Sequence, residues 1–277
     1  MDNFSALCYN QTEYSKFSCR EGDPPLGWYK DGTALREDIL GVRFHNVTLE
    51  EAVEKGAELV GSEGFHYVVT PNPEIVNMAR QTEEYQAILN EADLVLPDGI
   101  GVVYAAKLLG TPLKERVPGI DFATGLMGRL AQSGEGLFLL GAKPGVAETA
   151  AERLRKTYPG LKIVGAHDGY FQDNQAMVEE IRASGANACF VCLGAPKQEK
   201  WMAKYGPATG VSLMAGLGGV LDVFSGNTRR APEAWQKLGL EWCYRLLHQP
   251  SRLGRMAKLP GFLVAAAASR GKRSGKD

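Results

Sequence analysis

Val68-Val69-Thr70-Pro71-Asn72-Pro73 and Asp93-Leu94-Val95-Leu96-Pro97-Asp98-Gly99-Ile100-Gly101 share one grammar. Each is a short apolar run that stops abruptly at polar, Pro and Gly residues, and each is followed by a helical pattern. A short apolar run bounded by such punctuation reads as a buried strand. In open α/β sheets, ligands sit in the crevice beyond the carboxyl ends of the strands. Thr70, Asn72 and Asp98 all fall at that edge. Asp98, between a Pro and a Gly, is placed for chemistry, although the same position also suits an N-cap for a helix starting near Ile100.

Outward from these stretches the alternation of strand and helix continues. Ile39 to Phe44 reads as a short strand. Thr48 and Glu51 form a capping box for a helix reaching about Val60. Helices are expected over 73–80, 83–90, 100–109 and 120–131. Strands are then expected over 137–140, 161–164, 188–193 and 211–215, with helices at 146–156, 174–183 and from Lys197 to Lys204. This order predicts an α/β fold, a mainly parallel Rossmann-like sheet with helices on both faces. Right-handed crossovers then bring every strand-to-helix loop to the same edge. After Gly226 the pattern changes to helices alone, over 233–248 and 252–268, with arginines flanking apolar surface.

The bulk properties narrow the classes. The chain has 277 residues and a formal net charge of −1, so the molecule as a whole is no polyanion binder and no nucleic-acid partner is expected. The tail is different. From Arg245 onward it carries Arg252, Arg255, Lys258, Arg270, Lys272, Arg273 and Lys276 against a single acid, Asp277. Such a tail fits an anionic leaflet, at about 1 kcal/mol per Lys or Arg near the surface; a solubilising end is the plainer alternative. The five cysteines are scattered, and Cys189 and Cys192 sit in an apolar run that points their thiols to opposite faces of a strand. The chain opens without a basic and then apolar leader, and Phe262 to Ala268 is too short to cross a bilayer. A cytoplasmic protein, peripheral on the inner face of a membrane, is the expectation.

Single motifs are less decisive. Gly141-Ala142-Lys143-Pro144-Gly145 can offer backbone N–H groups to a phosphate or be an ordinary turn. Gly216-Leu217-Gly218-Gly219 is equally ambiguous. Gln198 can donate to a sugar or phosphate oxygen, or belong to a solvated first turn with Lys197 and Glu199. Arg116 falls in a loop at the expected active edge, or makes a surface ion pair; Arg229 and Arg230 suit bidentate clamping of phosphate or a solvated pair. His167 reads as a hydrogen-bonding loop histidine, not a metal ligand.

Taken together, five segments resemble the WecG/TagA/CpsF glycosyltransferase family. They are Thr70-Pro71-Asn72-Pro73-Glu74, Leu96 to Gly101, Glu115-Arg116-Val117-Pro118-Gly119, Gly194-Ala195-Pro196-Lys197-Gln198-Glu199 and Phe224 to Pro232. The resemblance runs from about Ile39 to Leu263. It implies an enzyme that moves an N-acetylmannosaminyl or related sugar from a UDP-sugar donor to a polyprenyl-diphosphate-linked GlcNAc acceptor, in surface polysaccharide or teichoic acid linkage-unit synthesis. It also implies Asp98 as the base, Thr70 in catalysis, and Arg116 and Gln198 lining the pocket; Asn72, at the same strand edge, is expected to orient acceptor or donor. Arg245, Arg252 and Arg255 would close over the site at the membrane. Gly141, Lys143, Gly218 and Arg229 complete the expected binding set. No D-x-D triplet occurs, so neither a metal nor another cofactor is expected, and helix termini and arginines must neutralise the leaving diphosphate.

The expected organisation is an extension over residues 1–36, an α/β catalytic core over 37–227 and a basic, membrane-proximal helical appendage over 228–277. An apolar helix face such as 100–109 suits internal packing or a homo-oligomer. Two rivals stand beside the transferase: a nicotinamide-dependent oxidoreductase, disfavoured by the missing G-x-G-x-x-G, and a membrane-surface protein that binds a UDP-sugar without turnover.

Overall fold

The structure, a computed structural model, describes residues 29–30, 33–34, 36–237, 241–248 and 259–273. The chain divides into two units, Met1–Leu35 and Arg36–Asp277. In the first, β1 (Tyr29–Lys30) pairs antiparallel with β2 (Thr33–Ala34); most of the expected extension lies outside the described residues.

The second unit opens with a hairpin, β3 (Arg36–Ile39) and β4 (Val42–His45). The sequence reading took this region as one strand. The chain reverses instead at Leu40 and Gly41, whose φ values are 56° and 92°. Two consecutive positive φ angles make the tight turn that matches strand twist. Leu is rare in that conformation, which hid the turn. Asp38 supports it by accepting from the Gly41 amide.

Helix α1 (Leu49–Val60) starts at the expected capping box, with Thr48 accepting from the Glu51 amide and Glu51 accepting from the Thr48 amide. Strand β5 (His66–Val69) leads to α2 (Pro73–Ala79) and α3 (Glu83–Glu91), then to β6 (Leu94–Val95), α4 (Ile100–Leu109) and α5 (Gly119–Ser133). Three β–α units follow: β7 (Gly136–Gly141) with α6 (Val146–Thr157), β8 (Lys162–His167) with α7 (Asn174–Ser184), and β9 (Ala188–Cys192) with α8 (Lys197–Tyr205). Strand β10 (Leu213–Gly216) precedes a short helix the sequence reading missed, α9 (Val220–Phe224).

Six strands form one sheet in the order β6-β5-β10-β9-β7-β8, and every pairing is parallel. The chain leaves β5 toward β6 on one side and β7 toward β8 on the other, while β10 and β9 fill the middle. That divergence opens a crevice at the carboxyl edge.

Both sheet faces are covered. On one, Tyr67, Val69, Phe138, Val191 and Met214 share a core with residues of α2, α3, α4, α7 and α8. In the other layer α1 crosses α5 closely. A Cβ on Gly56 would stand 2.9 Å from the Phe122 ring, and one on Gly125 would stand 2.5 Å from Val53. Each glycine receives the other helix's bulky side chain. Cys189 and Cys192 are buried free thiols; burial pushes the Cys192 thiol up to about 12 and raises Cys189 too.

Beyond the sheet lie α10 (Glu233–Lys237), α11 (Glu241–His248) and α12 (Leu259–Arg273). The last packs on the main unit: Phe262 and Ala266 are buried in the same core as α4. A Cβ on Gly101 would stand 2.6 Å from Leu259 and 2.7 Å from Pro73. The start of α4 therefore meets the start of α2 and the final helix at one point. Among the described residues no helix is long and apolar enough to cross a membrane.

Candidate active site

Thr70 follows β5 directly. It is 6% exposed, and its hydroxyl donates to the Gly216 carbonyl at 2.9 Å. The side chain thus bridges the ends of β5 and β10. A Cβ on Gly119 would lie 3.3 Å from Thr70 and 3.4 Å from Leu217, so the head of α5 closes over this bridge. Asn72 caps α2, its Oδ1 accepting from the Ile75 amide at 3.0 Å.

Asp98 is half-buried and stands outside α4. The N-cap is Gly99, with φ 90°, so Asp98 is one residue short of the capping position that the alternative reading gave it. Its amide donates to the Pro71 carbonyl at 3.2 Å, and a Cβ built on Gly99 would stand 3.6 Å from Pro73 and 3.7 Å from Asn72. The Val117 amide donates to the Pro97 carbonyl at 3.0 Å, which brings the Arg116 loop alongside. Backbone bonding thus gathers Thr70, Asn72, Asp98 and Arg116 at one edge.

Arg116 is not solvated there. Its Nη1 donates to Glu241 at 3.2 Å, with side-chain exposures of 18% and 8%. Arg230 grips Asp121 through both terminal nitrogens, at 2.6 and 2.7 Å, and its Nε lies 3.8 Å from Glu241. Two arginines and two acids thereby fasten α11, the 226–232 loop, the Arg116 loop and the head of α5 together. Sequence reasoning named Arg116 and Arg230 but neither acid. Glu241 is remote in the chain from Arg116, and no local pattern announces such a partner.

Gln198 is nearly inaccessible, at 2% exposure. Its Oε1 accepts from the Gly194 and Gly218 amides at 3.2 and 3.0 Å. Its Nε2 donates to Glu199, which also accepts from the Tyr85 hydroxyl. The solvated first turn entertained from sequence does not exist for Gln198 and Glu199; Lys197 alone is exposed and donates to the Gly169 carbonyl. Helix α8 lies against the sheet from its first turn, and that burial was invisible in a polar tripeptide.

Gly141 ends β7 and Lys143 follows it, across β9 from this cluster. Gly141 has φ 128°, and a Cβ there would stand 2.4 Å from the Cys192 carbonyl. Only Gly fits where the turn crosses the end of β9, and the Ala142 amide donates to that same carbonyl. Lys143 and Arg229 are exposed. Arg245 lies on α11, one turn past Glu241. Arg252 and Arg255 lie outside the described residues. His167 donates from Nδ1 to the neighbouring Asp168 carbonyl, 2.9 Å away, as a loop histidine does.

A family model described as "Glycosyl transferase WecG/TagA/CpsF family" matches residues 37–276. A protein of Bacillus spizizenii strain W23 is 42% identical over 199 residues, covering 72% of this chain and 77% of that protein. A protein of Staphylococcus aureus strain MW2 is 35% identical over 238 residues, covering 85% of this chain and 93% of that one. Both carry the name N-acetylglucosaminyldiphosphoundecaprenol N-acetyl-beta-D-mannosaminyltransferase.

Proposed function

The chain belongs to the WecG/TagA/CpsF glycosyl transferase family, and from that premise we propose that it transfers an N-acetylmannosaminyl or closely related residue from a UDP-sugar to GlcNAc-diphosphoundecaprenol. The product would serve a teichoic acid or related surface-polysaccharide linkage unit. The observation that carries the reading is Asp98. It is a half-buried carboxylate outside the helix it precedes, at the carboxyl edge, bonded through its backbone to the loop of Thr70 and Asn72.

In the proposed inverting displacement, Asp98 takes the proton from the acceptor hydroxyl. That oxygen bonds to the anomeric carbon while the bond from this carbon to the UDP oxygen breaks. General-base assistance of this kind is worth about 10²–10⁴-fold. Thr70 and Asn72 set the walls on which acceptor and donor are oriented. The departing diphosphate is met by the Gly141–Gly145 turn at the head of α6, with Lys143, Arg116 and Arg229 as cations; such electrostatic stabilisation is often the largest catalytic contribution. Lipid-linked acceptor requires work at a membrane surface, for which Arg245, Arg252 and Arg255 in the basic tail supply charge.

Asp98→Asn tests this. UDP release, assayed with a short-chain lipid-diphosphate-GlcNAc over a panel of UDP-sugars, should fall at least about 10²-fold while UDP binding persists. Near-normal turnover would remove Asp98 from the mechanism. A UDP-sugar-binding protein without turnover would bind UDP yet release none on addition of acceptor.

A further inference from the structure

Tyr85, Glu199 and Gln198 form a buried polar relay that begins on α3, crosses the first turn of α8 and ends at two glycine amides on the carboxyl edge. The Tyr85 hydroxyl donates to Glu199 Oε2 at 3.1 Å. Gln198 Nε2 donates to Glu199 Oε1 at 2.8 Å. Gln198 Oε1 then accepts from Gly194 N and Gly218 N. The three side chains are at most 2% exposed, so water does not compete for any of these bonds. The two glycines belong to the turns that leave β9 and β10. The β10 turn is held from its other side by Thr70, through the Gly216 carbonyl.

A carboxamide can lie either way round. With oxygen and nitrogen exchanged, Gln198 would present an NH₂ group to two N–H donors, and the Gly194 and Gly218 amides would lose their acceptor. An ionised carboxylate only accepts, so Glu199 requires the nitrogen of Gln198 on its own side and the oxygen on the other. Burial holds the Glu199 carboxyl above its ordinary value, with the bonds from Gln198 and Tyr85 acting against that rise; the geometry is that of an acceptor-only group, since each oxygen receives a donor, Oε1 from Gln198 and Oε2 from Tyr85.

We infer that Glu199 is a positioning residue: anchored by Tyr85, it sets the orientation of the Gln198 carboxamide and so fixes the Gly194 and Gly216–Gly219 turns beside the reaction centre. That these turns face a nucleotide sugar rests on the function proposed above; the fixing of the turns does not.

The test is Glu199→Gln in the full chain, with amide hydrogen exchange resolved at Gly194 and Gly218 and with steady-state UDP release. The new carboxamide can turn its NH₂ toward Gln198, so the two glycine amides alone must then hold the Gln198 oxygen on their side. Exchange at the two glycines should rise about tenfold, the factor lost with one ordinary hydrogen bond, while the Trp201 amide within α8 keeps its protection. KM for the UDP-sugar should rise more than kcat falls. Exchanging the two side chains, Gln198→Glu with Glu199→Gln, again presents an acceptor-only group to the glycine amides and should return their exchange to the parental rate. Unchanged exchange at both glycines, or an equal rise throughout α8, overturns the inference. Should Glu199→Gln not fold, Tyr85→Phe removes only the anchor and should give a smaller rise at the same two amides; no rise there also overturns it. If the nucleotide-sugar reading is itself wrong, the kinetic measurement gives no signal while the exchange measurement still decides.

Discussion

Replacing Thr70 with Val keeps the shape of the side chain and deletes its hydroxyl. The site tolerates little else, because the Gly119 backbone leaves only 3.3 Å between a built Cβ and both Oγ1 and Cγ2 of Thr70. The lost bond, Thr70 Oγ1 to Gly216 O at 2.9 Å, is buried. Its net contribution is about 0.5–1.5 kcal/mol, rising to about 1–3 kcal/mol if the Gly216 carbonyl is left without an equivalent donor. The β10 turn that it holds is tied through Thr70 to the segment after β5, to which Asp98 is bonded at Pro71, so a comparable penalty should appear in catalysis. About 1–3 kcal/mol corresponds to roughly 5–150-fold in kcat/KM. Thr70→Ser retains the hydroxyl and should recover most of that loss, at the cost of a methyl group. Urea unfolding followed by tryptophan fluorescence measures the first quantity, and UDP release the second. A Val variant with parental stability and parental turnover would refute the argument, since the bridge would then hold nothing that the reaction needs.

Three further expectations follow from individual contacts. Gly141→Ala should destabilise the protein by several kcal/mol or prevent its folding, because the new methyl meets the Cys192 carbonyl at 2.4 Å and the residue must keep φ 128°; thermal unfolding reads this. His45 is buried, with the Val95 amide donating to Nδ1, and burial followed by the charge of Arg36 pushes its imidazole down to about 3. As pH falls below the ordinary value of about 6.5 the unfolded chain takes up a proton that the folded chain refuses, so stability should fall by about 1.4 kcal/mol per pH unit toward pH 3; His45→Asn should flatten that slope in urea titrations at pH 7, 6 and 5. Glu241→Gln removes the charge facing Arg116 and should cost about 1–3 kcal/mol, seen as faster amide exchange across α11.

The parts of the fold that read clearly from sequence are those whose cause is local. Thr48 and Glu51 mark a helix start because the capping box is complete within one turn, and Val68-Val69 reads as a buried strand from its own composition and its Pro boundary. What did not read are arrangements made by distant segments. That β10 inserts between β5 and β9 depends on pairings such as Met214 with Tyr67 and Cys189, which no window of sequence contains. The Leu40-Gly41 reversal was missed because Leu carries no turn signal. At the site, Thr70 and Asp98 were legible as polar residues interrupting apolar runs. Gln198 and Glu199 looked solvated because their polarity was visible and their partners, Tyr85 and two backbone amides, were not.

The central place of β10 also bears on how the molecule is made. It is the last strand of the large sheet to leave the ribosome, yet its neighbours on either side, β5 and β9, are synthesised earlier and pair with it, not with each other. A nascent chain that ends before Leu213 lacks the strand that joins β6-β5 to β9-β7-β8, and any pairing within either group leaves an inner edge open to other extended segments. Completion of residue 216 is the event that converts those two liabilities into one closed layer.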